Sequence, residues 1–113
     1  VNWFRKDENG KFIWPGFGDN SRVLKWIVER CADKVDARET AIGYLPGIKD
    51  LDLEGLDISD EEMEEIISVD IDGWKAELAS VLEYYKDYDA RGANLPKELY
   101  EQLEALLERL DKA

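Results

Sequence analysis

Apolar residues recur at three- and four-residue spacing through most of the second half of the chain, a spacing typical of amphipathic helices. Asp70 can cap a long helix that continues to Gly92, and Pro96 can open a last one. The predicted buried stripes are Ile71, Trp74, Leu78, Leu82, Tyr85 and Tyr88 in the long helix, and Leu99, Leu103, Leu106 and Leu110 in the last. The rear of the chain is therefore predicted to be a helical layer.

A shorter helix is expected before these two. Ser59 and Glu62 have the spacing of a capping box and predict a helix that ends at about Ile67. Between residues 34 and 57 the pattern is irregular, and Thr40 to Pro46 is the best candidate for a short strand or extended segment.

The front of the chain has strand-like patterning instead. Residues 1–6 and 11–14 flank an Asn-Gly pair, which is a strong hairpin signal. Alternation places Trp3 and Phe4 on opposite faces of the first strand, and Ile13 opposite Phe12 and Trp14 on the second. Both faces of this ribbon are partly apolar, so one face is expected to pack on protein and the other to meet protein or ligand.

A loop rich in turn residues, Pro15 to Asn20, follows the hairpin, and Asp19 or Asn20 is placed to cap a helix from about Ser21 to Asp33. The buried stripe of that helix is predicted to be Val23, Leu24, Ile27, Val28 and Cys31. The predicted fold class is thus α+β and mainly helical, with a short N-terminal aromatic β-hairpin packed with about four helices.

The composition supports a folded chain and limits the classes of partner that we expect. The 113 residues are 44% hydrophobic and 11% aromatic, which argues against disorder although 37% are charged. Residues 1–34 carry a net charge of +2 and residues 35–113 a net charge of −14. So acidic a surface repels phosphate backbones and anionic lipid, and we expect neither nucleic acid nor a membrane as partner.

Few residues here are suited to catalysis. The chain has no histidine, the commonest general base and neutral metal ligand. Cys31 cannot form an internal disulfide, which is compatible with a cytoplasmic location, and its place on an apolar stripe favours core filling. The acidic run at residues 60–65 lacks the spacing of a calcium loop and is interpreted as a solvated face. We therefore assign no catalytic and no metal-binding residue.

The aromatic front is the best candidate for a binding site. Phe4, Phe12 and Phe17 could stack against a planar base, although composition alone favours core filling for any one aromatic residue. The loop sequence GFGDNS lacks the phosphate-binding pattern GxxxxGK[ST], and Asp19 would repel a polyphosphate. Asn20 can both donate and accept and could read the edge of guanine, or it could simply cap the helix.

The string VNWFRKDENGKFIWPGFGDNSRVLKW closely resembles the C-terminal region of the GTP-dependent phosphoenolpyruvate carboxykinases, especially the pattern KFxWPGFGxNSRVLxW. The resemblance is strong to about Trp26, continues through TAIGYLP at residues 40–46, and is looser afterwards. The chain departs from the family at Ala41, where proline is usual, and at Gly73, where a bulkier residue is common.

The resemblance implies a role for the front residues. Phe4, Phe12 and Phe17 match the family's guanine-binding phenylalanines, with Phe4 and Phe17 as the stacking pair, and Asn20 matches the residue that hydrogen-bonds the base. Gly18 and Asp19 belong to the same loop, and Trp14 matches a tryptophan close to the pocket. Residues 1–113 would then be a C-terminal fragment of the carboxykinase, in which residues 1–20 form the guanine-binding hairpin and loop and residues 21–113 a mostly helical layer.

The family converts oxaloacetate and GTP to phosphoenolpyruvate, carbon dioxide and GDP in gluconeogenesis, with Mn²⁺ or Mg²⁺. Its phosphate loop, metal ligands and substrate-binding arginines are expected upstream of Val1, in a missing N-terminal part of the same enzyme, because the chain begins abruptly and without methionine. The fragment alone should then be catalytically inactive and could self-associate, whereas the whole enzyme is expected to be a cytoplasmic monomer.

Two other interpretations remain open at this point. The aromatic hairpin could belong to a non-enzymatic module that grips a proline-rich or extended peptide. Alternatively, the motif could be purely structural, as the exposed core of a larger domain.

Overall fold

The structure is a computed structural model that describes all residues, 1–113, and it is mainly helical. The α-helices are α1 (Asn20–Cys31), α2 (Asp60–Ile67), α3 (Ile71–Ala90) and α4 (Lys97–Lys112). A short two-stranded sheet pairs β1 (Arg38–Thr40) with β2 (Gly43–Leu45), and a 3-10 turn, Phe17–Asp19, precedes α1. The α+β, mainly helical fold class is confirmed. None of the helices combines the length and the apolar character needed to cross a lipid bilayer.

The chain divides into two compact units. The first comprises Val1–Glu39 and Tyr44–Ser68, and the second comprises Thr40–Gly43 and Val69–Ala113. The core of the first unit consists of Trp14, Trp26, Leu51, Met63 and Ile67, with Met63 fully enclosed. The candidate residues at the front of the chain all belong to this first unit.

Helix α1 begins and ends close to its predicted bounds, but its predicted buried stripe is wrong in part. The helix turns Trp26 into the core, with Val23 and Ile27 packed beside it. Leu24 and Val28 are exposed. Cys31 is also exposed, so it is not the core filler that its spacing predicted. Apolar residues occur on both faces of this helix, and tryptophan removes the most apolar surface from water when it is buried.

The predicted N-terminal β-hairpin is present only as a turn closed by one antiparallel bridge, between Lys6 and Phe12. The Asp7 carboxylate accepts from the backbone N–H groups of Asn9 and Lys11, which fixes a tight turn. Beyond Phe12 the chain bends at Ile13 and Trp14, so strand pairing stops there. The predicted two strands are therefore wrong, because local side-chain hydrogen bonds compete with a longer ladder.

The front segment is anchored to the end of α2 by Arg5. Its guanidinium donates to the carbonyl oxygens of Ile66 and Ser68, both at 3.0 Å, and to the Ser68 hydroxyl at 2.7 Å. Arg38 donates to the Ile67 carbonyl oxygen at 2.6 Å. Two arginines thus satisfy carbonyl groups that the end of a helix leaves without partners.

The predicted capping box of α2 is confirmed. The Ser59 side chain accepts from the Glu62 N–H at 3.1 Å, and the Glu62 carboxylate accepts from the Ser59 N–H at 2.9 Å. Both hydrogen bonds satisfy N–H groups that the helix itself cannot pair. The start of α2 is therefore set by these two side chains.

The second unit consists mainly of α3 and α4, and both occur where the spacing predicted them. Asp70 caps α3 by accepting from the Gly73 N–H. Leu78 and Leu110 are buried, whereas three predicted stripe residues are more exposed than expected, namely Trp74, Tyr88 and Leu99. Arg109 donates to the Ala41 carbonyl oxygen at 2.8 Å within the same unit.

Candidate functional site

The loop between the N-terminal turn and α1 has an unusual backbone at two successive residues. Gly16 lies at φ 73° and ψ −168°, a region that only glycine enters readily, and Phe17 has φ 50°. The 3-10 turn that follows is closed by the Asp19 N–H donating to the Gly16 carbonyl oxygen at 3.2 Å. The Ser21 hydroxyl donates to the Gly18 carbonyl oxygen at 2.8 Å. The loop therefore holds Phe17 in a left-handed conformation that non-glycine residues rarely adopt.

All three phenylalanines of the chain lie at the surface. Phe17 is 99% exposed, Phe4 71% and Phe12 52%. Phenylalanine is among the residues most often buried, so exposure of every one of them in one short segment is unusual. The front segment thus offers apolar rings that the first unit does not use for its own core.

The exposed rings are arranged as a pair and a single ring. Phe12, which forms the β-bridge with Lys6, contacts Phe4 edge to face, with centroids 6.0 Å apart and planes at 61°. The Lys6 ammonium lies 5.0 Å from the centroid of Phe12. Phe17 stacks on no other aromatic ring. The structure therefore brings Phe4 to Phe12, whereas the resemblance names Phe4 and Phe17 as the stacking pair.

Trp14 and Asn20 are linked directly. The Trp14 indole Nε1 donates to the Asn20 Oδ1 at 2.9 Å, and Trp14 itself is only 6% exposed. The N-cap of α1 is Asp19, and no side chain caps the first turn. Asp19 is therefore the N-cap residue, as predicted, but its side chain does not bond the first turn, and the Asn20 amide is held by the core tryptophan instead.

Charges beside the loop are paired internally. Asp19 accepts from Arg22 Nε at 3.0 Å, and Arg22 Nη1 also donates to the Asp52 carbonyl oxygen at 2.8 Å. Lys25 donates to the Asp52 carboxylate at 3.1 Å. This hydrogen bond lowers the pKa of Asp52, helped by the backbone N–H of Glu54, and raises the pKa of Lys25.

These residues line an open cleft of about 390 Å³ together with Gly18 and Ser21. Its two basic side chains already contact carboxylates, and its acidic residues outnumber them. A phosphate group would have to displace those carboxylates. The cleft is therefore poorly suited to hold a polyphosphate.

A second groove, of about 280 Å³, lies beside the N-terminal turn. Its lining combines five apolar residues, Phe12, Ile13, Pro15, Leu56 and Ile58, with five charged residues, Asp7, Lys11, Asp57, Glu62 and Glu65. Two of the lining carboxylates, Asp7 and Glu62, accept backbone N–H groups within the chain.

The donor set for a divalent cation is lacking. No group of three or more His, Cys, Asp or Glu side chains is arranged to hold a metal ion. The residues present therefore do not fit the Mn²⁺ or Mg²⁺ that the resemblance implies for the whole enzyme.

Two sets of contacts that shape the candidate site could not be predicted from the sequence. Arg5 fixes the segment next to Phe4 through contacts with residues more than 60 positions away. The bond between Trp14 and Asn20 crosses a loop rather than a helix turn or a strand pair. Neither contact follows from helical or strand periodicity.

Comparison with known proteins places these features in a family. The family model described as "Phosphoenolpyruvate carboxykinase C-terminal P-loop domain" matches residues 1–109. Among similar curated proteins, the Phosphoenolpyruvate carboxykinase [GTP] of Renibacterium salmoninarum is 52% identical over 110 residues, which cover 97% of this chain and 18% of the relative.

Two other relatives carry the same name. That of Treponema pallidum is 50% identical over 111 residues, which cover 98% of this chain. That of Neocallimastix frontalis is 50% identical over 114 residues, which cover 100% of this chain. The chain spans about 18% of the length of these curated relatives.

Proposed function

Because the chain belongs to the GTP-dependent phosphoenolpyruvate carboxykinase family, we propose that it is the guanine-recognising C-terminal segment of a longer carboxykinase. That enzyme converts oxaloacetate and GTP to phosphoenolpyruvate, carbon dioxide and GDP, the gluconeogenic direction, in the cytoplasm. The segment's own partners are the guanine nucleotide, GTP or GDP, and the remainder of the same polypeptide.

The observation that carries this proposal is the full exposure of Phe17 on a strained, fixed loop. The backbone of Phe17 is held at φ 50°, which costs stability. Its ring is 99% exposed and contributes nothing to the core. Stacking on a nucleobase recovers that cost, at about 1 to 3 kcal/mol per base. Phe4 and Phe12 add a second apolar surface, and the Asn20 amide adds a polar group for the edge of the base.

The distribution of charge supports a role for this chain in binding the base and not the phosphates. The basic residues beside the loop are paired with carboxylates, and the chain offers no metal-binding cluster. Phosphate transfer and its Mn²⁺ or Mg²⁺ therefore belong to the part of the enzyme outside this chain. Gly18 and Asp19 shape the loop, and we assign Phe4, Phe12, Phe17 and Asn20 to the base.

The test is Phe17→Ala in the full-length enzyme. The expected result is a loss of GTP affinity of about 1 to 3 kcal/mol, roughly 5- to 150-fold, because one stacking surface is removed. Affinity is measured by calorimetric titration. Tyr84→Ala is the matched control, since it removes another exposed aromatic ring, from α3, and should leave GTP affinity unchanged. Unchanged affinity in Phe17→Ala would show that Phe17 does not bind the base.

A peptide-binding module is the competing function, because the groove beside Phe12, lined by both apolar and acidic residues, could accept an extended segment. The two functions differ in their ligand preference. Titration with GTP, GDP, ATP and proline-rich peptides separates them, since the module requires peptide binding without preference for guanine. A guanine preference without peptide binding supports the carboxykinase.

A further inference from the structure

We propose that Trp14 is a positioning residue for base recognition: it orients the amide of Asn20 so that the Nδ2 amine, and not the carbonyl oxygen, faces the nucleobase. The inference rests on the proposed function and deepens it, because it states which atom of the site selects the base. The same arrangement selects purines with an oxo group at C6 over purines with an amine there.

The orientation follows from the hydrogen-bonding capacity of indole. Trp14 Nε1 can only donate, so the Asn20 atom that lies 2.9 Å away must be the acceptor Oδ1. Trp14 is 6% exposed and packs in the core of the first unit, so this donor cannot turn toward solvent. Flipping the amide would bring Nδ2 against Nε1 and leave a buried donor without a partner, which is unfavourable.

The other end of the amide remains free for a ligand. Asn20 is half-buried at the start of α1, beside the exposed Phe17 loop. Its Nδ2 group donates to no atom of the chain, whereas its Oδ1 is occupied by Trp14. What Asn20 offers a base is therefore a donor.

A donor fits one class of purine at this position. Guanine and hypoxanthine present a carbonyl oxygen at C6, which accepts, whereas adenine presents an amine, which donates. If adenine were bound, its C6 amino group would face the amide Nδ2–H group of Asn20. Both groups are donors, so both would lose their hydrogen bonds to water without gaining a partner. The side chain thus favours GTP and ITP over ATP without requiring the 2-amino group.

The first experiment is Trp14→Phe in the full-length enzyme, with affinities for GTP, ITP and ATP measured by titration. An aromatic ring smaller than indole remains, but the Nε1 donor is lost and the amide can rotate. We expect the preference for GTP and for ITP over ATP to fall about 3- to 10-fold, the effect of one hydrogen bond.

The chain provides a matched control in Trp26→Phe. Trp26 is 7% exposed and belongs to the same core, but its Nε1 has no hydrogen-bond partner. It therefore reproduces the change in packing without changing any hydrogen bond. Its base preference should equal that of the unmodified enzyme; an equal fall in both variants would mean that core packing, not the Trp14 bond, sets the preference.

Asn20→Asp tests the orientation by another route and does not depend on the stability of a tryptophan variant. Aspartate still accepts from Trp14, but it presents an oxygen to the base. If Asn20 offers a donor, Asn20→Asp should reduce affinity for both GTP and ITP at least as much as Asn20→Ala does. Retained GTP affinity in Asn20→Asp would overturn the proposal, since the oxygen would then face the N1–H and amine of guanine.

A double-mutant cycle shows whether Trp14 acts through Asn20. In the Asn20→Ala background, Trp14→Phe should cause no further fall in base preference, and a full further fall would overturn the positioning role. The outcomes also separate the two proposals. An unmodified enzyme without preference for GTP overturns the proposed function, whereas a preference that Asn20→Ala removes and Trp14→Phe preserves overturns only the role of Trp14.

Discussion

At the scale of single residues, the candidate site depends on the conformation of Gly16. Its φ and ψ, 73° and −168°, turn the chain so that Phe17 points into solvent. A Cβ built at Gly16 meets no atom within 4 Å, so space does not explain the glycine. The requirement is conformational, because this region of the backbone map is essentially restricted to glycine.

Gly16→Ala is therefore expected to destabilise the chain by about 1 to 3 kcal/mol, the usual cost of such a strained conformation. Gly18→Ala is the control: no atom lies within 4 Å of its Cβ either, and its φ is not positive. Urea unfolding of both variants measures the difference. Equal stability of the two would mean that the loop relaxes without cost and that Gly16 does not fix Phe17.

At the scale of elements, the ends of helices were easier to predict than their buried faces. Side chains next in sequence, such as Ser59 with Glu62, and Asp70 ahead of α3, determine where a helix begins. Burial of Trp26 instead of Leu24 depends on residues far along the chain, including Leu51 and Met63. Periodicity cannot choose between two apolar faces of one helix.

The same limit applies to the candidate site. The aromatic content of the front segment could be recognised from the sequence, and so could the loop that carries Phe17. The contact of Phe4 with Phe12 depends on the single β-bridge between Lys6 and Phe12. The hydrogen bond to Asn20 depends on the position of Trp14 in the core. These are tertiary contacts, and local propensity does not encode them.

The capping box gives a prediction for α2. Ser59→Ala removes the acceptor of the Glu62 N–H and should lower the free energy of unfolding by about 1 kcal/mol. Ser80→Ala, in the interior of α3, is a chemically matched control and should be neutral or slightly stabilising, because alanine is the better helix former. Urea unfolding compares them. A loss as large in Ser80→Ala as in Ser59→Ala would contradict the capping role.

Asp89 and Tyr100 link α3 to α4 and give the second unit a dependence on pH. The Tyr100 hydroxyl donates to the Asp89 carboxylate at 2.5 Å, and this bond, with the Leu95 N–H, lowers the pKa of Asp89 below its ordinary value of 3.8. The bond also raises the pKa of Tyr100 above 10.0. Its stabilisation is therefore present between these values, is lost as pH falls through the lowered pKa of Asp89, and is lost as pH rises through the raised pKa of Tyr100.

Tyr100→Phe should accordingly lower the melting temperature at pH 7 and make the fall in stability below pH 4 shallower than in the unmodified chain, since one contribution that acid removes is already absent. Thermal unfolding followed by circular dichroism from pH 7 to pH 2 measures both effects. Tyr84→Phe removes a hydroxyl that bonds only the exposed Tyr88 and serves as control. An unchanged acid profile in Tyr100→Phe would show that this bond does not stabilise the folded state.

At the scale of the whole molecule, the chain is acidic, and the proposed function gives it only the base-binding end of a nucleotide site. Its net charge is −12, and the surface that we propose for the base is made of neutral rings and an amide. Neutral groups can hold a base, but a triphosphate needs positive charge or a metal. The curated relatives are more than five times as long, since the chain covers 18% of them.

The 113-residue chain should therefore show no oxaloacetate decarboxylation with GTP and Mn²⁺, whereas the full-length enzyme should turn over. The chain has no histidine, no cluster able to hold a divalent cation, and basic residues beside the loop that already contact carboxylates. Phosphoenolpyruvate formation is followed by a coupled assay, with the full-length enzyme diluted in parallel to set the detection limit. Turnover by the 113-residue chain above that limit would mean that phosphate-transfer chemistry is present within it. Its absence, together with a guanine preference that Asn20 controls, would separate recognition of the base from the chemistry at the phosphates.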